Sequence, residues 1–397
     1  MDDEYIESPV LHDPRCAAFP DLGNVVIAVK TGATEVQRRL PIQMLTSLRC
    51  VRNVMVFSDL EEDVAGFHIH DALDMIPSSA MEGNSDFAFY LKQKELKKYG
   101  EVEAMMGGVL DPRRPEDLAA WTLDKYKQVH ILEKIWDAFP ERDWYMMIDA
   151  DTYLSWSNLL LWLERLPDPS EKSYLGSPAR WAEVAFAHGG SGILMSRATV
   201  YDFAVTHNGS AASWDKPMHE ECCGDYVIGM ILKERGIILK ESWPTINGEN
   251  PVTLPFGSTH WCEPSVTMHH VQPNHMSIIA NFERSRANQT SPWTFSDFFN
   301  AVVRNNLPDE LEDWDSLSTD TMEQAESYNA CKQRCEQAKE CFQFAFDGKR
   351  CGLGKSIHLG QRRDQKDNKK WRSGWNKSKI EQWIAKQPPC HPTFPHT

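Results

Sequence analysis

Two carboxylates stand at the end of an apolar run: Trp144 to Ile148 is followed by Asp149-Ala150-Asp151. In extended backbone, side chains two apart point the same way, so Asp149 and Asp151 share one side of the strand's end. Two anions that close repel unless a cation or strong donors sit between them. A turn would also use aspartates. In open α/β sheets, however, ligands bind beyond the carboxyl ends of strands, and that favours a ligand site. Further along, His188-Gly189-Gly190-Ser191-Gly192 sets three glycines around one serine. Such a segment lets backbone approach a ligand that any Cβ would block. A phosphate-binding loop of Walker type is excluded because its lysine is missing. Glu220, Glu221 and Asp225 precede the apolar helix pattern Tyr226–Gly236. Each could accept a proton, and Asp225 could simply cap the helix. His269 and His270 close a short strand at Thr267–Val271. Cys222-Cys223 beside His219 hints at zinc, but adjacent cysteines rarely ligate one ion and no Cys-x-x-Cys pair exists. Disulfides are the better reading, with Cys262 a candidate partner for one of the two.

Elements that could position these residues follow from periodicity. Asn24–Lys30 reads as a strand running into Thr31-Gly32, then a helix with Leu40, Met44, Leu45 and Leu48 on one face and a kink at Pro41. Val51–Phe57 is a second strand, closed by Ser58-Asp59. Strand, turn, helix, strand opens a nucleotide-binding α/β layer. Residues 75 to 115 read as a surface excursion. Leu118–Phe139 is a helix with Val129, Leu132, Trp136 and Phe139 as its buried stripe. Trp156–Leu166 is a helix stopped by Pro167 and Pro169, and Tyr174–Pro178 is a short strand. Residues 1–22 read as an N-terminal arm, 23–304 as the main domain, 305–325 as an acidic linker, and 326–397 as a small cysteine-rich α+β module with its tail. Alternation at Phe342, Phe344 and Phe346 predicts a half-buried hairpin in that module.

The segment Asp143-Trp144-Tyr145 … Asp149-Ala150-Asp151-Thr152-Tyr153, followed by Asn158-Leu159, resembles the metal-binding segment of glycosyltransferase family 31. That family holds the Fringe proteins and the core 1 β1,3-galactosyltransferases, and the resemblance runs over about residues 24 to 275. Ala150 stands where the family usually has the middle of three aspartates. The resemblance implies a GT-A type, Rossmann-like fold with a mixed, mostly parallel sheet flanked by helices. It implies that Asp151 and His269, with His270 as fallback, ligate a divalent metal. An imidazole joining a carboxylate and phosphate oxygens suits manganese better than calcium. Val29-Lys30-Thr31-Gly32 resembles the donor-binding loop, Asp59 sits where the family contacts the nucleoside, and Lys125 where it faces the diphosphate. Asp149 and Ala150 join them as nucleotide-binding positions. Gly189, Gly190, Ser191 and Gly192 resemble the motif lining the sugar and acceptor side, and Glu221 is assigned to the substrate. Asp225-Tyr226-Val227-Ile228-Gly229 fits the spacing of the family's catalytic base, with Gly224 replacing the usual preceding Glu. The C-terminal cysteines resemble a PAN/Apple-like module, whose pattern implies Cys331–Cys351 and Cys335–Cys341. The pairings of Cys16, Cys50, Cys222, Cys223, Cys262 and Cys390 stay open.

The implied reaction is inverting transfer of a hexose, galactose first, from a UDP-sugar to a glycan or glycoprotein hydroxyl through a β1,3 linkage. A carbohydrate-binding protein with an inactive cleft and a nucleotide-sugar hydrolase are the alternatives. The module would add a glycan or protein ligand of its own. With 397 residues and a net charge of −15, neither nucleic acid nor an anionic membrane surface is an electrostatically favoured partner. No run of about 18 apolar residues is present, so a soluble chain is expected, with its only membrane link an anchor outside it. The opening Met1-Asp2-Asp3-Glu4 is no signal peptide. Ten cysteines, five of them crowding the last 70 or so residues, and sequons at Asn208, Asn288 and Asn376 point to an oxidising lumen, Golgi or secreted.

Overall fold

The computed structural model describes residues 24–99, 115–286, 290–363 and 370–397. The expected arm at 1–22 and the sequon residue Asn288 lie outside them. In chain order the strands of the main domain are β1 Val25–Lys30, β2 Val54–Ser58, β3 Glu62–Val64, β4 Phe67–Asp71, β5 Trp144–Asp149 and β6 Tyr153–Leu154. They continue with β7 Tyr174–Gly176, β8 Pro178–Trp181, β9 Val184–Ala187, β10 Ile193–Ser196, β11 Lys240–Glu241 and β12 Thr267–Met268. Eight of these form one mixed sheet in the order β11-β7-β10-β5-β1-β2-β4-β3. Its centre, β5-β1-β2-β4, is parallel; β10 and the edge strand β3 run antiparallel to their neighbours.

β1 and β5 are continuous apolar runs because both faces of the sheet are covered. Val26 and Ala28 of β1 join Tyr145 and Met147 of β5 in one core, beneath the helices Ala88–Lys97, Pro115–Ala138 and Gly224–Glu234. Val25, Ile27 and Val29 join Trp144, Met146 and Ile148 in the other, beneath Val36–Leu45 and Trp156–Leu163. Part of the expected surface excursion belongs to the first of these cores: Phe87, Phe89 and Tyr90 are buried with the Pro115–Ala138 helix. Their spacing was obscured by the charged residues of the exposed helical face, Lys92 to Lys98. Residues 100–114 lie outside the described ones.

The last third holds β13 Glu310–Glu312, β14 Trp314–Asp315, β15 Thr321–Gln324, β16 Gln343–Phe346, β17 Arg350–Gly354, β18 Gln361–Arg362 and β19 Arg372–Trp375. Five of them make an antiparallel sheet ordered β13-β19-β16-β17-β15. The helix Tyr328–Gln337 is bonded to it by Cys331–Cys351 and, through the following turn, by Cys335–Cys341. Residues 305–325 are therefore no linker: they supply β13, β14 and β15. Their acidity is not a sign of solvation alone, since Glu310 meets Lys332 at 2.8 Å and Arg372 at 2.6 Å. β16 is buried on both faces rather than alternating: Phe344 and Phe346 pack with the helix cysteines on one face, and on the other the Gln343 side chain donates to Ser316 O and accepts the His358 N–H, while Phe342, just before the strand, joins the main domain. That junction is one core shared by Phe256, Trp261, Phe298, Phe342, Ile357 and Trp375. Among the described residues, no helix is long and apolar enough to cross a membrane.

Candidate active site

A cleft of about 620 Å³ opens at the carboxyl ends of β1 and β5. It is lined by Lys30, Thr31, Gly32, Asp149, Asp151, Gly190, Asp225 and His269, among others. Register places Lys30 opposite Asp149, and its ammonium lies 3.0 Å from Asp149 Oδ1 and in contact with Asp124. Burial alone would lower the lysine's pKa, but the two aspartates raise it above the ordinary range. Burial would raise Asp124 in turn, yet Lys30 and Lys127 bring it down to about 2. Lys30 and Asp124 are therefore both charged at neutral pH.

On the same wall, Asp151, His269 and His270 converge. His269 Nε2 lies 3.3 Å from Asp151 Oδ1 and 3.9 Å from Asp149 Oδ2. His270 Nδ1 and Arg39 approach Asp151 Oδ2 at 3.5 and 3.3 Å. Burial favours a protonated Asp151, but hydrogen bonds from both histidines and the charge of Arg39 hold its carboxyl well below the usual range. One donor atom from each of Asp151, His269 and His270 lies within 4.8 Å of the others. A carboxylate beside imidazoles is a set that suits a divalent transition metal, and the buried Nδ1 of His269 has no hydrogen-bond partner in the structure. The residues fit a metal.

Asp225 also lines the cleft, in the first turn of the Gly224–Glu234 helix, where Cys223 rather than Asp225 is the N-cap. Its Oδ2 accepts the Gly189 N–H at 2.8 Å and its Oδ1 the Tyr226 N–H at 2.9 Å. Burial raises its pKa above the ordinary carboxylate value, opposed by those bonds and by His188. The glycine segment touches both groups, Gly189 at Asp225 and Gly190 at His269. A Cβ on Gly190 would sit 2.2 Å from His269 Cε1, and one on Gly189 would sit 2.3 Å from Gln128 Nε2. Gly192 turns at φ 113°, a conformation that favours glycine.

Other expected site residues are placed differently. Val29 is buried in the core. Asp59 is buried beneath the loop, accepting the Ala33 N–H at 2.9 Å and pairing with Lys127 at 3.2 Å, and is absent from the cleft lining. Lys125 lines the cleft, but its ammonium binds Asp86 and the carbonyl of His219, both at 2.9 Å. It anchors the loop ahead of Asp225. Ser191 is buried against His188 Nδ1 at 2.8 Å, and neither it nor Glu221 lines the cleft. Ala150 is buried at the end of β5, with its N–H bonded to Lys30 O.

Residues beyond the expected set also line the cleft: Arg39, Trp121, Gln128, His188 and the bonded pair Cys222–Cys223. Arg39 carried no signal, being one of two adjacent arginines in a helix. Cys222 pairs with Cys223, so neither takes the candidate partner Cys262, which joins Cys390. Cys50 is disulfide-bonded as well, and Cys16 lies outside the described residues.

No curated protein matches the chain. Among solved structures, it is similar to the glycosyltransferase GlyE of Streptococcus pneumoniae, at 12% identity with a TM-score of 0.27. The match covers 54% of this chain and spans 45% of that one. A glycosyltransferase involved in glycosylation of the major capsid of PBCV-1 is similar at 13% identity and a TM-score of 0.28, over 64% of this chain and 99% of that one. Neither assigns an activity to this chain. The Fringe-like family profile matches residues 21–244, which takes in the parallel centre of the sheet, the Asp149/Asp151 pair, the glycine segment and Asp225. That match covers more than half of the 397 residues, and the chain belongs to the Fringe-like family.

Proposed function

We propose that this protein is an inverting, metal-dependent glycosyltransferase. It moves a hexose, galactose first, from a UDP-sugar to a hydroxyl of a glycan or glycoprotein and forms a β1,3 linkage. The observation that carries this is that one cleft is lined both by Asp151 and His269, 3.3 Å apart, and by Asp225, which is held by the Gly189 N–H. The donor diphosphate takes the Lys30–Gly32 loop and the Asp149/Asp151 end of β5. Asp151 and His269 are the ligands for the divalent ion, manganese in first place, which supplies charge against the leaving diphosphate. Asp225 accepts the proton of the acceptor hydroxyl as its oxygen attacks the anomeric carbon from the opposite face. The Gly189 and Tyr226 N–H groups fix the carboxylate's plane. The buried positive charge of Lys30 adds a fixed field at the phosphate end, and preorganised charge of that kind usually contributes more to such transfers than any other effect. Disulfides among the described residues fit an oxidising lumen, and we place the protein in the secretory pathway, in the Golgi or secreted. The C-terminal module is a candidate site for a further glycan or protein ligand.

A panel of UDP-sugars scored for UDP release with and without acceptors tests the reaction. Acceptor-stimulated release with one donor is expected; equal release without acceptor means a hydrolase, and none with any donor means a binding protein. Chelation is expected to stop release and manganese to restore it best. Asp151→Ala should abolish UDP binding in manganese-containing buffer, and calorimetry showing unchanged affinity would remove Asp151 from the metal site.

A further inference from the structure

A second cluster of metal-type side chains lies on the β3–β4 hairpin, at the far edge of the sheet, and none of its residues lines the cleft. The strands are joined by Ala65 and Gly66 alone, both at positive φ (53° and 85°), a two-residue turn that fixes register. In that register Asp63 faces His68. Alternation then puts Glu61 and Asp63 on the same face as His68 and His70. The side chains meet there. His68 Nε2 lies 2.7 Å from Glu61 Oε1, and the two imidazoles meet edge-on with centroids 4.7 Å apart. One donor atom from each of Glu61, His68 and His70 lies within 4.8 Å of the others.

We propose that Glu61, His68 and His70 bind a zinc ion. Two imidazoles and one carboxylate, completed by a water, are an established zinc ligand set. Ligands at roughly 2.0–2.2 Å from zinc stand about 3.4 Å apart in a tetrahedron, so small rotations of the exposed Glu61 and His68 and the half-buried His70 suffice. The supporting contacts are already made. Asp63 Oδ1 holds the other nitrogen of His68, Nδ1, at 3.0 Å, which leaves Nε2 to the metal. A carboxylate on the far ring nitrogen is what metal-bound histidines characteristically carry. Glu61 Oε2 accepts the Asp71 N–H at 2.9 Å, which aims Oε1 at the cluster. His70 packs on Phe57, with centroids 5.5 Å apart. The competing description is a hairpin decorated with surface ion pairs, which stabilise little and need no metal. Bound zinc would also clip a three-residue edge strand to its neighbour, where such strands are otherwise vulnerable.

The test uses the full chain carrying Asp151→Ala, so that the cleft does not contribute, after removal of metal. Calorimetric titration with zinc is expected to show one saturable equivalent, and cobalt in its place to give the strong visible absorption of a four-coordinate ion. His68→Ala/His70→Ala should abolish both signals. Glu61→Gln, nearly isosteric and on an exposed edge, should weaken zinc binding by at least the roughly 10–100-fold that loss of an outer partner costs. Circular dichroism verifies the fold of each variant. Absence of a saturable equivalent in the parent, or the same stoichiometry and affinity in the histidine and Glu61→Gln variants, overturns the proposal.

Discussion

Asp225 is buried, and the proposed base role requires it to be ionised. Burial raises its carboxyl above the ordinary value, toward the pH at which a general base is most effective. The acid limb of kcat/KM is therefore expected above the usual carboxylate range. Asp225→Asn keeps an oxygen for a backbone N–H but cannot take a proton. Turnover is expected to fall by about 10²-fold or more, with UDP affinity unchanged. If Asp225→Asn turns over normally and Glu221→Gln is dead, the base is Glu221. Stability should move the other way. A carboxyl whose folded pKa exceeds its unfolded value contributes its full stability below the unfolded value, and loses it as pH rises through the folded one. At neutral pH Asp225→Asn should thus melt no lower than the parent, and its advantage should shrink as pH falls toward 4. A variant melting well below the parent at pH 7 would contradict the burial argument.

The element that positions Asp225, the proposed base, is the loop ahead of the Gly224–Glu234 helix, and the Pro115–Ala138 helix holds it. A Cβ on Gly224 would sit 2.3 Å from the Lys125 carbonyl oxygen, so helix and loop touch through backbone. Lys125 ties the same loop through the carbonyls of His219 and Glu221 and is neutralised by Asp86. Lys125→Met keeps the length and removes the charge. Breaking a largely buried ion pair costs about 3 kcal/mol or more, so a clear drop in melting temperature is expected. Hydrogen exchange should quicken at residues 219–225 and turnover should fall, while UDP affinity, proposed to rest on the Lys30–Gly32 loop and Asp151, should hold. A loss of UDP affinity as large as the loss of turnover would return Lys125 to the diphosphate.

At the scale of the whole molecule, the C-terminal module is fastened back onto the main domain. Cys262–Cys390 spans 128 residues. Beyond it Phe394 stacks on Trp162, with centroids 6.1 Å apart, and Trp162 Nε1 donates to Pro395 O at 3.0 Å. Closing so long a loop stabilises by up to about 5 kcal/mol on the loop-entropy estimate. Cys262→Ser/Cys390→Ser should lower the urea midpoint accordingly and leave a single transition, because the shared core of Phe256, Phe342 and Trp375 persists. Two separated transitions would mean that module and main domain unfold independently.

The central strands were legible because burial on both faces writes itself as an unbroken apolar run, as in Val25–Val29 and Trp144–Ile148. The stripe Val129, Leu132, Trp136 and Phe139 marked a helix for the same reason, since periodicity records which side is dry. The carboxylate pair stood out because acidic residues at such a strand's end need a cause. Partner choice was not legible. Lys125 and Lys127 look alike in the chain, but they leave the helix on different sides, one to the His219–Glu221 loop and the other to Thr31 O and Asp59. Cys222 bonds to Cys223 while Cys262 reaches Cys390, and the acidic stretch at 310–324 finds strands and cations instead of solvent. Local pattern encodes which residues leave water. Which of them meet depends on distances between segments a hundred residues apart, and only the packed tertiary structure sets those.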